Sequence, residues 1–186
     1  MTLTTRRLVL RPWQDADREP FATMNADPEV MEFFESTLSR EESDAQLDRF
    51  AARFAEHGGW GWFAMQERAS GEFLGFTGMS RVRFEEHFTP AVEIGWRLAR
   101  PAWGHGYVTE AAREVVRFAF EDVGLDEVVA FADPRNARSR AVMRRLGMTH
   151  DPADDFDHPD IPEGSPLRHM VLYRLCAPRD VPDLAA

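Results

Sequence analysis

The chain reads as an α/β fold, a mixed sheet flanked by helices. Three observations predict it. Short apolar runs such as Phe73–Phe84, Ala91–Leu98 and Val128–Ala132 alternate with amphipathic stretches. Capping and stopping residues bound those stretches, as a helix needs at its unpaired ends. And 186 residues with 44% hydrophobic content suffice for one sizeable core, so a single domain over 1–186 is expected, ordered over about 5–176.

Each element has its own signal. Leu8 and Leu10 flank Val9 in a first strand that ends at Pro12. Asp15–Met24 reads as a helix, with acids in its first turn where the macrodipole favours them. Ser39 and Glu42 form a capping box for a second helix. Leu47, Phe50, Ala51 and Phe54 recur along it at helical spacing until Gly58-Gly59 stops it. Trp60–Gln66 and Phe73–Phe84 read as two strands joined at Ser70-Gly71, and Ala91–Leu98 as a third. Val108, Ala111, Ala112, Val115 and Ala119 make an apolar stripe on the next helix. Val128–Ala132 is a strand, Asn136–Leu146 a helix and His169–Leu175 the last strand. His150–Arg168 is a long loop rich in Pro and Asp, expected to be functional or mobile rather than a simple connection.

The densest chemical signal lies between the third strand and its helix. Gly104 and Gly106 form a Gly-x-Gly turn, which lets the backbone bend tightly with its N–H groups aimed outward. With the positive helix end behind them, those donors suit phosphate oxygens, so a phosphorylated cofactor is expected. A dinucleotide is one option, and Asp133 stands where such sites keep an acid. However, the third glycine position is Thr109, and Ala99–Trp103 separate the strand from the turn, unlike the dinucleotide fingerprint.

Together with Asn136-Ala-Arg-Ser139 opening a helix that Gly147 closes, the segment Glu93–Ala112 resembles the GNAT superfamily of acetyl-CoA-dependent N-acetyltransferases. Trp103-Gly-His-Gly-Tyr-Val-Thr-Glu-Ala111, Thr5–Pro12 and Leu167–Arg174 are similar to its ribosomal-protein N-terminal acetyltransferase branch, so the resemblance covers nearly the whole chain. It implies a mostly antiparallel sheet with a splayed central strand pair that holds acetyl-CoA. The backbone of Ile94, Gly95, Trp96 and Leu98 would carry the pantetheine arm, an N–H near Gly95 or Trp96 serving as oxyanion donor. Trp103 and the N–H groups of Gly104, His105, Gly106, Tyr107, Val108 and Thr109 would meet the pyrophosphate. Pro101 stands where the superfamily usually has Gln or Arg, with Arg100 beside it. His105, being in the turn, suits phosphate contact or solvent rather than catalysis.

The same resemblance assigns the chemistry. Amine acetylation needs a neutral amine, a polarised thioester carbonyl and a proton for the departing thiolate. Glu93 is the expected base, directly or through water; the bland alternative is an exposed acid paired with an arginine. Asn136 would bond the pantetheine with both its donor and its acceptor. Many relatives carry a Tyr acid where this chain has Met143, leaving Ser139 as the nearest replacement. Arg144 or Arg145 would reach the adenosine phosphate. Direct attack in a ternary complex is expected, because Cys176 lies away from both motifs. With Met143 unable to donate a proton, a catalytically inactive acyl-CoA-binding module is the rival reading.

Composition narrows the setting. With 22 basic and 32 acidic residues the net charge is −10, which disfavours nucleic acid and is compatible with a cationic amine acceptor. No apolar run approaches a membrane span, and one cysteine fits a reducing cytoplasm. The acidic loop matches no metal-ligand spacing, so no metal is expected. The acceptor, a small-molecule or peptide amine, is left open, as is a homodimer.

Overall fold

The computed structural model describes residues 1–178. Its strands are β1 (Leu3–Thr4), β2 (Leu8–Arg11), β3 (Trp62–Glu67), β4 (Phe73–Arg81), β5 (Val92–Leu98), β6 (Glu127–Ala132), β7 (Thr149–His150), β8 (Phe156–Asp157) and β9 (His169–Cys176). Its α-helices are α1 (Arg18–Ala26), α2 (Arg40–Glu56), α3 (Tyr107–Glu121) and α4 (Ala137–Arg145). The strands form one sheet in the order β1-β2-β3-β4-β5-β6-β9-β7, with β8 paired to β9.

Every pairing is antiparallel except that of β5 with β6, which run parallel and meet only at Glu93 and Val129 among the described residues. On its other side β5 is paired with β4 along its whole length, from Arg81↔Val92 to Gly75↔Leu98. Beyond Glu93 the two central strands therefore diverge, leaving one edge of Ile94–Leu98 without a strand partner. This is the splayed pair expected from the sequence. Close approach between β4 and its neighbours is possible because Gly75 and Gly78 lack a Cβ, which would fall 2.2 Å from Arg97 O and 2.0 Å from Gly61 O.

Apolar layers cover both faces. Ala111, Val115, Phe118 and Ala119 bury the stripe of α3 in one core with Leu8, Phe63, Ile94 and Val128. On the opposite face Phe21 and Met24 of α1 join Leu47 and Phe50 of α2 around Phe76. The capping box of α2 forms as expected: Glu42 N–H donates to Ser39 Oγ at 3.2 Å, and Ser39 N–H to Glu42 Oε2 at 2.7 Å.

Several boundaries differ from those expected. A hairpin strand, β1, precedes the first predicted strand and pairs with it. The predicted helix Asp15–Met24 opens as a 3₁₀ turn, Asp15–Asp17, before α1 begins. Buried Asp17 explains the break: it accepts two bonds from Arg11 and one from Gln14 N–H, fixing the entry geometry. The strand predicted to reach Phe84 stops at Arg81, and Phe84 instead packs with Phe88, Phe131 and Phe156. The loop 150–168 carries β8 and a 3₁₀ turn. Three of its acids are engaged: Asp154 with Arg174, Asp155 with His150, and Asp157 with His169.

Candidate active site

The turn after β5 is held from three sides. Trp103 Nε1–H donates to Leu98 O at 2.9 Å, tying the turn to the end of β5. Gly104 and Gly106 take φ of 82° and 76°, the left-handed region that side chains resist. Arg7 donates to His105 O at 3.0 Å and through Nε to Glu110 Oε2 at 2.7 Å. Glu110 also accepts from Thr5 Oγ1 and from Arg7 N–H, locking the N-terminal segment to the first turn of α3. Burial opposes the Glu110 carboxylate, but these bonds outweigh it and hold its pKa below the usual range.

Glu110 N–H, donating to Gly106 O, is the first in the helix to find a backbone acceptor there. Among the described residues the N–H groups of Gly104, His105, Gly106, Tyr107, Val108 and Thr109 donate no well-formed hydrogen bond. A Cβ at Gly104 would meet nothing within 4 Å, and one at Gly106 only Arg7 Nη2 at 3.7 Å, so the space beside the turn is open.

That space is one end of a cavity of about 1050 Å³, walled by the turn, by Trp96 and Leu98 of β5, and by Asn136, Ser139 and Arg145 of α4 and its cap. Free N–H groups, an open strand edge and a basic rim with Arg6 and Arg113 fit a phosphorylated, amide-bearing cofactor. Arg145 lines this cavity, whereas Arg144 does not. The His105 side chain stays outside, exposed and stacked on Tyr107, so only its backbone serves the turn. Arg100 is also outside, paired with Glu29 at 2.6 Å and lying over Trp103.

A second cavity of about 550 Å³ meets the first. Both are lined by Phe33, Phe34, Trp96, Arg97, Asn136 and Ser139. Glu93, Ile94, Gly95 and Met143 line the second alone, with an aromatic wall that includes Phe50, Trp62, Phe76 and Phe131. The half-buried Glu93 carboxyl makes no hydrogen bond or ion pair among the described residues, so the exposed, arginine-paired alternative does not describe it. Loss of solvent pushes its pKa up to about 7, with only the nearby Arg53 charge opposing.

On α4, Asn136 departs from expectation. Its Oδ1 accepts Ser139 N–H at 3.0 Å and caps the helix, so only the amide Nδ2 remains for a ligand. Ser139 Oγ makes no hydrogen bond among the described residues, and Ser139 lines both cavities. Met143, one turn on, is buried. No tyrosine lines the second cavity; Tyr107, in the first, donates to Glu67 at 2.5 Å.

Sequence reasoning missed the walls contributed from a distance. Phe33 and Phe34 arrive from the segment between α1 and α2, and Trp62 lies over Gly95, where a Cβ would come 3.1 Å from its ring. The adjacent Phe33-Phe34 pair in a non-helical connection was the available signal.

The chain is similar in sequence and fold to known proteins. A family model described as an acetyltransferase (GNAT) domain matches residues 7–149. FsC-acetyl coenzyme A-N(2)-transacetylase of Aspergillus fumigatus is 37% identical over 158 residues, which are 80% of this chain and 65% of that protein. The chain thus spans just under two thirds of that relative. A solved acetyltransferase from Agrobacterium tumefaciens superimposes with a TM-score of 0.77 at 28% identity, over 95% of each chain. RimL, the ribosomal L7/L12 alpha-N-protein acetyltransferase solved with coenzyme A, shares the fold at a TM-score of 0.74 and 14% identity, covering 95% of this chain and 98% of its own. The chain belongs to the GNAT acetyltransferase family.

Proposed function

We propose that this chain transfers acetyl from acetyl-CoA to a primary amine by direct attack in a ternary complex. The meeting of two cavities at Ser139 and Trp96, one rimmed by free N–H groups and basic residues and one holding Glu93, carries the reading. Acetyl-CoA supplies an activated acetyl thioester. The N–H groups of 104–109 and Arg145 bind its phosphates, while the open edge of β5 and Asn136 Nδ2 bind the arm's amides.

An alkyl amine is mostly protonated at neutral pH, so a proton must leave before attack. Glu93 accepts it, directly or through water. Its pKa near 7 makes it ionised at slightly alkaline pH while keeping it a stronger base than an ordinary glutamate. A β5 N–H near Gly95 or Trp96 donates to the oxygen that gains charge. Ser139 Oγ, unengaged at the junction, gives its proton to the departing sulfur and regains the one that the acylated nitrogen sheds. The buried Met143 cannot, which is the one feature favouring an inactive acyl-CoA-binding module.

The test is release of free CoA thiol with acetyl-CoA and a panel of amines: neutral, cationic, carboxylated and peptide N-terminal. Amine-dependent release, with an N-acetylated product by mass, is expected. Tight acetyl-CoA binding with no release from any amine assigns the chain to the binding module instead.

A further inference from the structure

One charged group at the cavity junction has no counter-charge. Arg97 is 9% exposed, and its pKa is lowered to about 10 by loss of solvent. Its Nη1 donates to Asn25 Oδ1 at 2.7 Å, and Asn25 is itself buried and donates to Ser43 Oγ. Nε is enclosed with no partner. Nη2 makes no hydrogen bond among the described residues and is not among the enclosed atoms. The guanidinium lies 4.0 Å from the Phe34 ring and 5.4 Å from the Phe76 ring, and no carboxylate is within ion-pairing distance among the described residues. A buried cation held by one neutral amide and two aromatic rings lacks the anion that normally accompanies such a charge.

We infer that Arg97 is the receptor for a carboxylate on the acetyl acceptor, so that the acceptor is an amine that also carries an acid. The inference rests on the acetyl-transfer reading above. Alternation along β5 puts Glu93, Gly95 and Arg97 on one face, with Ile94, Trp96 and Leu98 on the other. The base and the free cation therefore share a face and a cavity, roughly 13 Å apart along the strand at about 3.3 Å per residue. The cofactor's phosphates are provided for elsewhere, at the turn beyond Leu98, and its arm carries neutral amides. The anion that completes Arg97 comes from the other substrate. The open Nη2 offers that carboxylate a charge-assisted N–H donor.

The experiment measures CoA release at saturating acetyl-CoA with two matched series. One comprises the common α-amino acids and the ω-amino acids from glycine to 6-aminohexanoate; the other comprises their carboxamides. The wild-type chain is expected to favour the best acid over its amide by about 10–100-fold in kcat/KM. Arg97→Gln is expected to erase that preference through KM, with acetyl-CoA affinity unchanged, and Arg97→Lys to restore only part of it. Should Arg97→Gln fail to fold, the wild-type comparison still decides. Equal use of acids and amides, turnover confined to amines without an acid, or a preference that survives in Arg97→Gln overturns the role of Arg97 while leaving acetyl transfer intact. No release from either series or from any amine in the wider panel overturns both.

Discussion

Replacing Glu93 by Gln keeps the shape of the side chain and removes its charge. The carboxyl rises from 4.5 in the unfolded chain to about 7 in the fold because burial strips its solvent. Below about pH 4.5 both states hold the proton, and Glu93 contributes nothing to the pH dependence of stability. Between 4.5 and 7 the unfolded chain releases its proton while the folded chain keeps it, so stability falls as pH rises. Above about 7 both are ionised, and the loss levels off at about 3 kcal/mol, taking 1.36 kcal/mol per pKa unit. Because the cavity lets solvent reach the half-buried carboxyl, that figure is an upper bound.

Glu93→Gln is therefore expected to be more stable than the wild-type chain at pH 8, by up to about 3 kcal/mol, and no more stable at pH 4. Urea melts followed by circular dichroism at the two pH values measure this. The rate should move the opposite way. Wild-type turnover should rise with pH through about 7, and the variant should lose on the order of 10²–10⁴-fold at neutral pH. That gap should shrink at high pH, where more of the acceptor amine is already neutral. Equal stability difference at both pH values would refute the desolvated carboxyl. Undiminished turnover at neutral pH would refute the base.

Ser139→Ala should slow turnover at every pH without weakening acetyl-CoA, because thiolate protonation does not depend on the amine's state; rescue at high pH in a pH–rate profile would contradict that role. Phe118→Ala, emptying a buried site on α3 against Phe63, should cost about 3–5 kcal/mol in a denaturant melt, and a loss below about 1 kcal/mol would mean that Phe118 does not anchor α3 to the core. Ser39→Ala should cost about 1 kcal/mol by removing the cap of α2, measured the same way, and no loss would mean the capping box contributes nothing.

What could be read from the sequence was local. The Ser39–Glu42 box, the stripe on α3 and the Gly104–Gly106 turn each involve residues within one or two helical turns, where spacing determines geometry. The cap made by Asn136 was legible on the same grounds, since Asn three residues before a helical N–H is a capping signature. Reading its side chain as wholly free for a ligand overlooked that competition. The rest depends on contacts far apart in the chain. Thr5 and Arg7 reach Glu110 across more than a hundred residues, and Arg97 meets Asn25 only when α1 packs on β4. Nothing in the local sequence singles out Arg97 within its apolar strand. Its isolation from any carboxylate is a property of the packed fold, which periodicity does not encode. The bend in the N-terminal helix was hidden for the same reason, because Arg11 had to fold back onto Asp17 to impose it.

Acetyl-CoA binding by the backbone of the turn between β5 and α3 is best checked by calorimetric titration of acetyl-CoA into the wild-type chain, Gly104→Ala and Gly124→Ala. Both glycines have positive φ, and at neither would a Cβ touch another atom within 4 Å, so the two variants bear similar backbone strain. Only Gly104 lines the large cavity. One acetyl-CoA is expected per wild-type chain, with affinity at least about tenfold weaker in Gly104→Ala, equivalent to about 1.4 kcal/mol, and no change in Gly124→Ala. Binding that is equal in the wild-type chain and Gly104→Ala, or weakened alike in both variants, would contradict it.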